Sequence, residues 1–478
     1  MYSAGKLLAI VFGGVALGAC GSSSSSPLGF GAKDGGADAS GLDAATDGSN
    51  GSSSGGSSSS GGSSGGSSSS SGSSGGSSSS SGSSGGSSSS SGSSSGASGY
   101  AIPLTSPDGA DFEYTAQVTV GNQTLVMSID TGSTTAAIAG TGCSGCTGTS
   151  PLYTPSSSAK ATGQNGSSEY EDGSGWSGPI YADTVGLGNG SPSVSLDLVD
   201  ITKATGNFFS GQNDYQGILG LGPSGNAIPG TTGYMPAVMG AGVTNIFALK
   251  LCDTTGSSAG TMWLGGDGSP GSPLVYTPLL AISDNNPFYA INVDGMSLGG
   301  TSIVTNAAST FAGPVLDTGT SLYYVPTSVF NAFQTALEAS SSFQALFGSN
   351  TFATSGQDAG CVTDASVTDA QVESMLPTLT LSLPNATSGQ PDVTIQASAL
   401  DTYLYVGGPG QYCLAIQDGG TQDPSTFGDA FLQAFITIVD LQGGRVGFSP
   451  TGCATPQVRH ARHPAKNGPH RAPRPVRP

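Results

Sequence analysis

Around residue 130, and again around residue 317, the chain runs through the same succession: a strand-like run, a turn containing Gly, a second apolar run and Asp-Thr-Gly. The first copy, FEYTAQVTVGNQTLVMSIDTGST from Phe112, alternates β-branched and apolar residues on both sides of Gly121-Asn122, the signature of a tight β-hairpin. The second copy is FYAINVDGMSLGG from Phe288, followed by FAGPVLDTGTSLYYVP from Phe311. A chain that repeats one supersecondary unit at this distance is expected to form two similar halves. Most other segments are short β runs broken by Gly and Pro, so each half is expected to be a packed or barrel-like set of sheets. Helical spacing is clearest from Ser328 to Leu337, where Val329, Phe330, Phe333 and Leu337 follow Pro326. The expected fold class is therefore all-β in the main, with two similar β lobes and a cleft between them.

Only part of the chain carries this pattern. Residues 21–99 are almost entirely Gly and Ser with scattered Asp, too poor in apolar groups to offset the entropy of ordering, and read as a stalk. Residues 1–20 contain Lys6, an apolar run from Leu7 to Leu17 and the small-residue site Leu17-Gly18-Ala19-Cys20. That run is too short to span a bilayer. It resembles a bacterial lipoprotein signal peptide, which implies an acylated Cys20 as the mature N-terminus and a lipid anchor on the extracytoplasmic side of the membrane. An ordinary secretory signal, cut elsewhere, is the alternative. The folding part is then divided into lobes at 100–270 and 271–453, and residues 454–478 form a basic, Pro-rich tail that does not fold alone.

Charge excludes one class of partner. Residues 100–453 hold 27 of the 31 acidic residues against Lys160, Lys203, Lys250 and Arg445 alone, a surface that repels nucleic acid. Tolerance of acid and simple solubility both account for such a surface, and the sequence leaves the two open.

Residue types narrow the chemistry further. All three histidines, His460, His463 and His470, lie in the tail, which removes Ser-His-Asp and Cys-His catalysis and the commonest catalytic zinc sites from the body. Cys143 and Cys146 form the chain's single CxxC, a weak basis for redox or zinc chemistry. No metal and no cofactor are expected. Seven cysteines are an odd number; setting Cys20 aside leaves six, enough for three disulfides in an oxidising compartment.

What remains is carboxylate chemistry at Asp130 and Asp317. Two acids brought together across a cleft cannot both ionise cheaply, so they share a proton and divide the roles of base and acid. Gly132 and Gly319 allow tight loops whose amides approach the carboxylates, and Ser133 and Thr320 are positioned to donate to the outer oxygens. One Asp-Thr-Gly alone is an ordinary turn sequence; two in matched repeats are not.

These residues resemble the pepsin-like aspartic proteases over nearly all of residues 100–453. The resemblance implies a bilobal fold, hydrolysis of peptide bonds in extended polypeptides, a monomer, and Asp130 and Asp317 as the catalytic pair. Tyr170-Glu171-Asp172-Gly173-Ser174, with Gly178 and Asp183-Thr184-Val185, looks like the flap hairpin that closes over substrate; Tyr170 matches the flap Tyr, and Asp172 either suits a basic side chain before the cleaved bond or is a solvated turn residue. Ile218-Leu219-Gly220 and Gly428-Asp429 resemble the elements threaded beside each active loop, and Arg445-Val446-Gly447-Phe448 the last strand. By the same resemblance Thr131 and Thr318 cross-bond the two loops, and the disulfides are Cys143 with Cys146, Cys252 with Cys453 and Cys361 with Cys413. The sequence departs from the pattern at Ala136-Ala137-Ile138, where many members carry Trp, and at Glu171, where Gly is common. Trp176 reads first as a surface or hairpin-base aromatic and second as a replacement for the missing Trp. A pepsin-like module that has lost activity, or an adhesin on a stalk, are the rival functions.

Overall fold

The computed structural model describes residues 99–106, 113–170, 173–206, 208–209, 215–252, 256–305, 310–355, 360–420 and 425–453. The signal segment with Cys20, the stalk, Glu171, Asp172 and the basic tail lie outside them. The described chain is mostly β.

The alternation around Gly121 folds as read. Thr115–Val120 pairs antiparallel with Gln123–Asp130 through a two-residue turn in which Gly121 takes φ 59°, a positive value that glycine adopts without steric cost. Along the two strands Ala116, Val118, Val120, Leu125, Met127 and Ile129 are buried, while Gln117 and Thr119 face water. At its end Gln123–Asp130 also pairs in parallel with Gly217–Gly220, which lies between it and Ala137–Ser144. The second copy repeats this arrangement. Val315–Leu316 pairs in parallel with Thr426–Phe427, which in turn lies against Tyr323–Val325. Each Asp-Thr-Gly loop therefore leaves one strand and returns on another, with a third strand threaded between.

A larger sheet ties the two copies together. Its order runs from Val275–Pro278 through Arg445–Pro450, Phe435–Asp440, Ile246–Leu251 and Gly256–Leu264 to Tyr100–Ser106, and from there into the first hairpin. The Arg-Val-Gly-Phe strand sits inside this sheet with Val446 and Phe448 buried. Beneath it, edge-to-face and tilted contacts link Phe427, Phe431, Phe435, Phe448 and Tyr323, placing broad apolar area directly behind the second Asp loop.

The helix expected at Ser328 to Leu337 spans Thr327–Ala339, with Val329, Phe333 and Leu337 buried and Phe330 half-buried. Among the described residues, the short helices Tyr234–Gly240, Ser341–Phe347, Asp369–Met375 and Asp429–Leu432 were not legible in the periodicity. Two turns or fewer give too few repeats to stand out from a β pattern. Among the described residues no helix is long and apolar enough to cross a membrane.

Three disulfides form, Cys143–Cys146, Cys252–Cys453 and Cys361–Cys413. The last joins directly paired residues of neighbouring antiparallel strands, and Cys252–Cys453 ties the end of the Ile246–Leu251 strand to the end of the described chain.

Candidate active site

Asp130 ends the strand Gln123–Asp130, and its carboxylate turns back onto its own loop. Its Oδ1 accepts from the Gly132 N–H at 2.7 Å and the Ser133 N–H at 3.2 Å. Asp317 is held in the same way: Oδ1 accepts from the Gly319 N–H at 2.9 Å and Oδ2 from the Thr320 hydroxyl at 2.8 Å. The pseudo-symmetry is incomplete, because the buried Ser133 hydroxyl has no partner in full hydrogen-bond geometry among the described residues. On that side the main-chain amides orient the carboxylate.

The two loops are locked to each other by a reciprocal set of four bonds. The Thr131 N–H donates to Thr318 Oγ1 at 3.1 Å and the Thr318 N–H to Thr131 Oγ1 at 3.0 Å. Each hydroxyl then donates to the strand that carries the opposite aspartate, Thr131 to the Leu316 carbonyl at 2.8 Å and Thr318 to the Ile129 carbonyl at 2.9 Å. All of these atoms are buried, so every donor removed from water has an acceptor. Gly132 lies so close to Asp317 that a β-carbon there would meet its carboxylate at 2.4 to 2.5 Å.

Burial pushes the proton affinity of both acids upward. For Asp130 the Ser133 side chain first, then Asp317 and the loop amides, oppose the rise; for Asp317 the charge of Asp130 adds to it, and its affinity stands well above the ordinary carboxylate range. The interaction between the two groups lowers the affinity of Asp130 and raises that of Asp317, the direction in which Asp317 keeps a proton after Asp130 has lost its own. A third acid stands behind them. Asp429, at the start of the helix Asp429–Leu432, is fully buried, and neither of its carboxyl oxygens has a hydrogen-bond partner among the described residues. Burial first, then the charges of Asp317, Glu113 and Asp130, keep it protonated well above the ordinary range.

Lys160–Glu169 and Gly175–Gly186 form an antiparallel hairpin whose tip carries Tyr170, Gly173 and Ser174. The Gly173 N–H donates to the Tyr170 carbonyl at 2.9 Å and the Tyr170 N–H to the Ser174 carbonyl at 2.8 Å, closing the tip. Its return strand is anchored by Asp183. Burial raises the affinity of that carboxyl, but bonds from Ser156, Thr184 and Tyr153 outweigh it and hold the group below the usual range. Trp176 is neither a surface residue nor an unengaged one at the hairpin base. It is 4% exposed, and its Nε1–H donates to the Tyr170 hydroxyl at 2.6 Å. Phe208, which the sequence reading passed over, stacks on the Tyr170 ring with centroids 5.3 Å apart and planes 6° from parallel. No local pattern announces that contact, since Phe208 lies on a separate strand-end segment. Among the described residues no group of His, Cys, Asp or Glu is arranged to hold a metal ion.

Residues 113–451 match the family model of the eukaryotic aspartyl proteases. The chain is also similar to Rhizopuspepsin-4 of Rhizopus niveus, with 30% identity over 262 residues that make up 53% of this chain and 63% of that protein, which is thus spanned over less than two thirds of its length. It is 27% identical to an Aspartic protease of Phaffia rhodozyma over 353 residues, 73% of this chain and 78% of that one. To Aspergillopepsin-1 of Aspergillus pseudoglaucus it is 28% identical over 351 residues, 72% of this chain and 80% of the relative.

Proposed function

As the chain belongs to the eukaryotic aspartyl protease family, we propose that it is an aspartic endopeptidase whose catalytic pair is Asp130 and Asp317, acting on extended polypeptides without metal or cofactor. The observation that carries this reading is the pair itself: two buried carboxyls from separate strands, each held by its own loop and each raised in proton affinity. In the proposed reaction the ionised Asp130 takes a proton from a water held between the acids, while the Asp317 O–H polarises the scissile carbonyl. The water oxygen bonds to the carbonyl carbon. The C–N bond then breaks as the proton gained by Asp130 passes to the departing nitrogen, and Asp317 recovers its own. Thr131, Gly132, Ser133, Thr318, Gly319 and Thr320 support the acids, and Tyr170, Asp172, Gly173 and Ser174 form the flap over substrate.

The reading extends to the whole chain. Residues 1–20 are the signal, Cys20 carries the lipid, 21–99 are the stalk, 100–270 and 271–453 are the two lobes and 454–478 the basic tail, on a monomer held at the extracytoplasmic side of a membrane. Three disulfides support an extracellular setting.

Digestion of a denatured protein from pH 3 to 7, with and without pepstatin, tests the function. Asp130→Asn and Asp317→Asn are each expected to lower turnover by about 100-fold or more while the fold persists, because each acid has its own proton to move. Comparable activity in either variant refutes the assignment. An unmodified chain that binds pepstatin but cleaves nothing is instead a binding module.

A further inference from the structure

Tyr289 is bonded toward both acid loops. Its carbonyl accepts from the Leu316 N–H at 2.8 Å, one residue before Asp317. Its hydroxyl donates to the Leu221 carbonyl at 2.9 Å, and the Leu221 N–H donates to the Asp130 carbonyl at 2.6 Å. Immediately before Tyr289 the chain makes a small hairpin over residues 280–290. Ser283 and Asn286 exchange both main-chain bonds, at 2.9 and 3.0 Å, around the two-residue tip Asp284-Asn285. At its base the Leu280 N–H donates to the Ala290 carbonyl at 2.8 Å, and the Asn286 side chain braces the hairpin by donating to the Ala281 carbonyl at 3.1 Å. Ala290 bridges to Val315, on the strand that leads into Asp317. The hairpin is thus a short, braced projection rooted at the acid loops.

We infer that Ile282 is the apolar wall of a subsite at this edge of the cleft, which takes a large apolar side chain of the substrate at one position to one side of the cleaved bond. The inference rests on the reading of the chain as a protease. Register gives its first support. Ser283 and Asn286 form a hydrogen-bonded pair, so the next residues down the hairpin, Ile282 and Pro287, stand opposite each other and share the other face. Pro287 fits there because that pair asks for no N–H. It is buried against the turn Ser224–Asn226, where a β-carbon on Gly225 would stand 3.8 Å from the Pro287 β-carbon. Asn226 of the same turn donates from Nδ2 to the Gly132 carbonyl at 3.4 Å. The face that Ile282 shares with Pro287 is therefore the one turned toward the first Asp-Thr-Gly loop. Exposure gives the second support. Among the described residues the large apolar side chains left exposed are Tyr100, Ile282 and Met375, and Ile282, at 37%, is the one on the hairpin rooted at the acid loops. Single apolar side chains on a surface are ordinary; one held on a braced loop beside the reacting groups is placed to bind. An extended substrate turns alternate side chains to opposite sides, so one residue on so short a hairpin meets one substrate side chain and not its neighbours. Ile282 is a specificity-determining residue and does not touch the reacting atoms.

Two measurements on the full chain decide the point. The first is cleavage of peptide mixtures in which each position around one bond is varied in turn, with the products read by mass spectrometry. The unmodified chain is expected to favour Leu, Ile or Phe over Ser at one position. Ile282→Ser should lower that preference about fivefold, the scale of one methylene group withdrawn from apolar contact, while the other positions keep theirs. Ile282→Val, which keeps the apolar surface, should retain most of it. A profile unchanged in Ile282→Ser, or one that falls at every position together, overturns the subsite and leaves the protease reading intact. The second needs no turnover. Peptides whose central amide is replaced by an uncleavable methylene-amine, each with a single Leu in a frame of Ala, are titrated by calorimetry into the unmodified chain and into Ile282→Ser. One of them should bind the variant about fivefold more weakly and the rest equally; equal affinity for all overturns the subsite. If the unmodified chain binds these peptides and cleaves no peptide, the protease reading fails and the titration still decides the subsite.

Discussion

At the scale of single residues the site depends on what is missing from Gly132 as much as on what Asp130 and Asp317 carry. A methyl group on Gly132 would stand 2.4 to 2.5 Å from three atoms of the Asp317 carboxylate, far inside van der Waals contact. The loop or the acid must move. Gly132→Ala is therefore expected to fold and to lose about 100-fold in kcat/KM, the cost of displacing a reacting group by about 1 Å. Steady-state cleavage beside a circular dichroism spectrum checks this; near-normal activity would show that the loops have slack. The requirement for Gly was legible as turn chemistry, but its cause was not, since the crowding comes from Asp317 on the other Asp-Thr-Gly loop. Trp176 makes the same point in reverse. Its type was plain in the sequence, whereas its partner depended on how the hairpin strands register.

At the scale of elements, legibility follows the length and regularity of the local pattern. The hairpin at Gly121-Asn122 and the helix Thr327–Ala339 have enough repeats to be read without a structure. Asp369–Met375 does not, although its start carries a written cap. Thr368 accepts from the Gln371 N–H and the Gln371 side chain accepts from the Thr368 N–H, a complete capping box. Thr368→Ala should cost about 1 kcal/mol in urea unfolding and leave cleavage unchanged, because this helix end is exposed and contributes no group to the dyad. The threaded strands Gly217–Gly220 and Thr426–Phe427 mark the opposite limit. They hold four and two residues, and their membership in the Asp loops rests on parallel pairing with distant chain.

At the scale of the whole molecule two properties follow from how the parts are tied. Cys252–Cys453 closes a sequence separation of 201 and Cys143–Cys146 one of 3, which by chain entropy restrict the unfolded chain by about 5 and about 2 kcal/mol. Replacing both cysteines of the long loop by Ser should lower the thermal transition more than replacing those of the short one, as calorimetry can rank. The second property is pH dependence. Asp200 is buried with Oδ1 lacking a hydrogen-bond partner among the described residues, and burial pushes its pKa up to about 6 from 3.8. The folded chain binds this proton more tightly than the unfolded chain. Its contribution to stability is complete below pH 3.8 and is lost as pH rises through about 6. Asp429 acts in the same direction. Asp200→Asn should therefore match the unmodified chain near pH 4 and melt higher than it at pH 8; an equal melting temperature at both values would refute the account.

The sequence by itself determined the class of fold, the hairpin, the long helix and the two matched Asp-Thr-Gly motifs, because alternation, helical spacing and turn chemistry act within a few residues. Resemblance to a family added the disulfide pairs and the crossing of Thr131 with Thr318, which no local rule supplies. The tertiary structure alone decided the order of strands in the joining sheet, the bond from Trp176 to Tyr170, the stacking of Phe208 and the lack, among the described residues, of hydrogen-bond partners for Asp200 Oδ1 and for both Asp429 carboxyl oxygens. Each of these depends on which distant segments meet and on how much water their meeting excludes, quantities that are set by packing and not by any stretch of chain read alone.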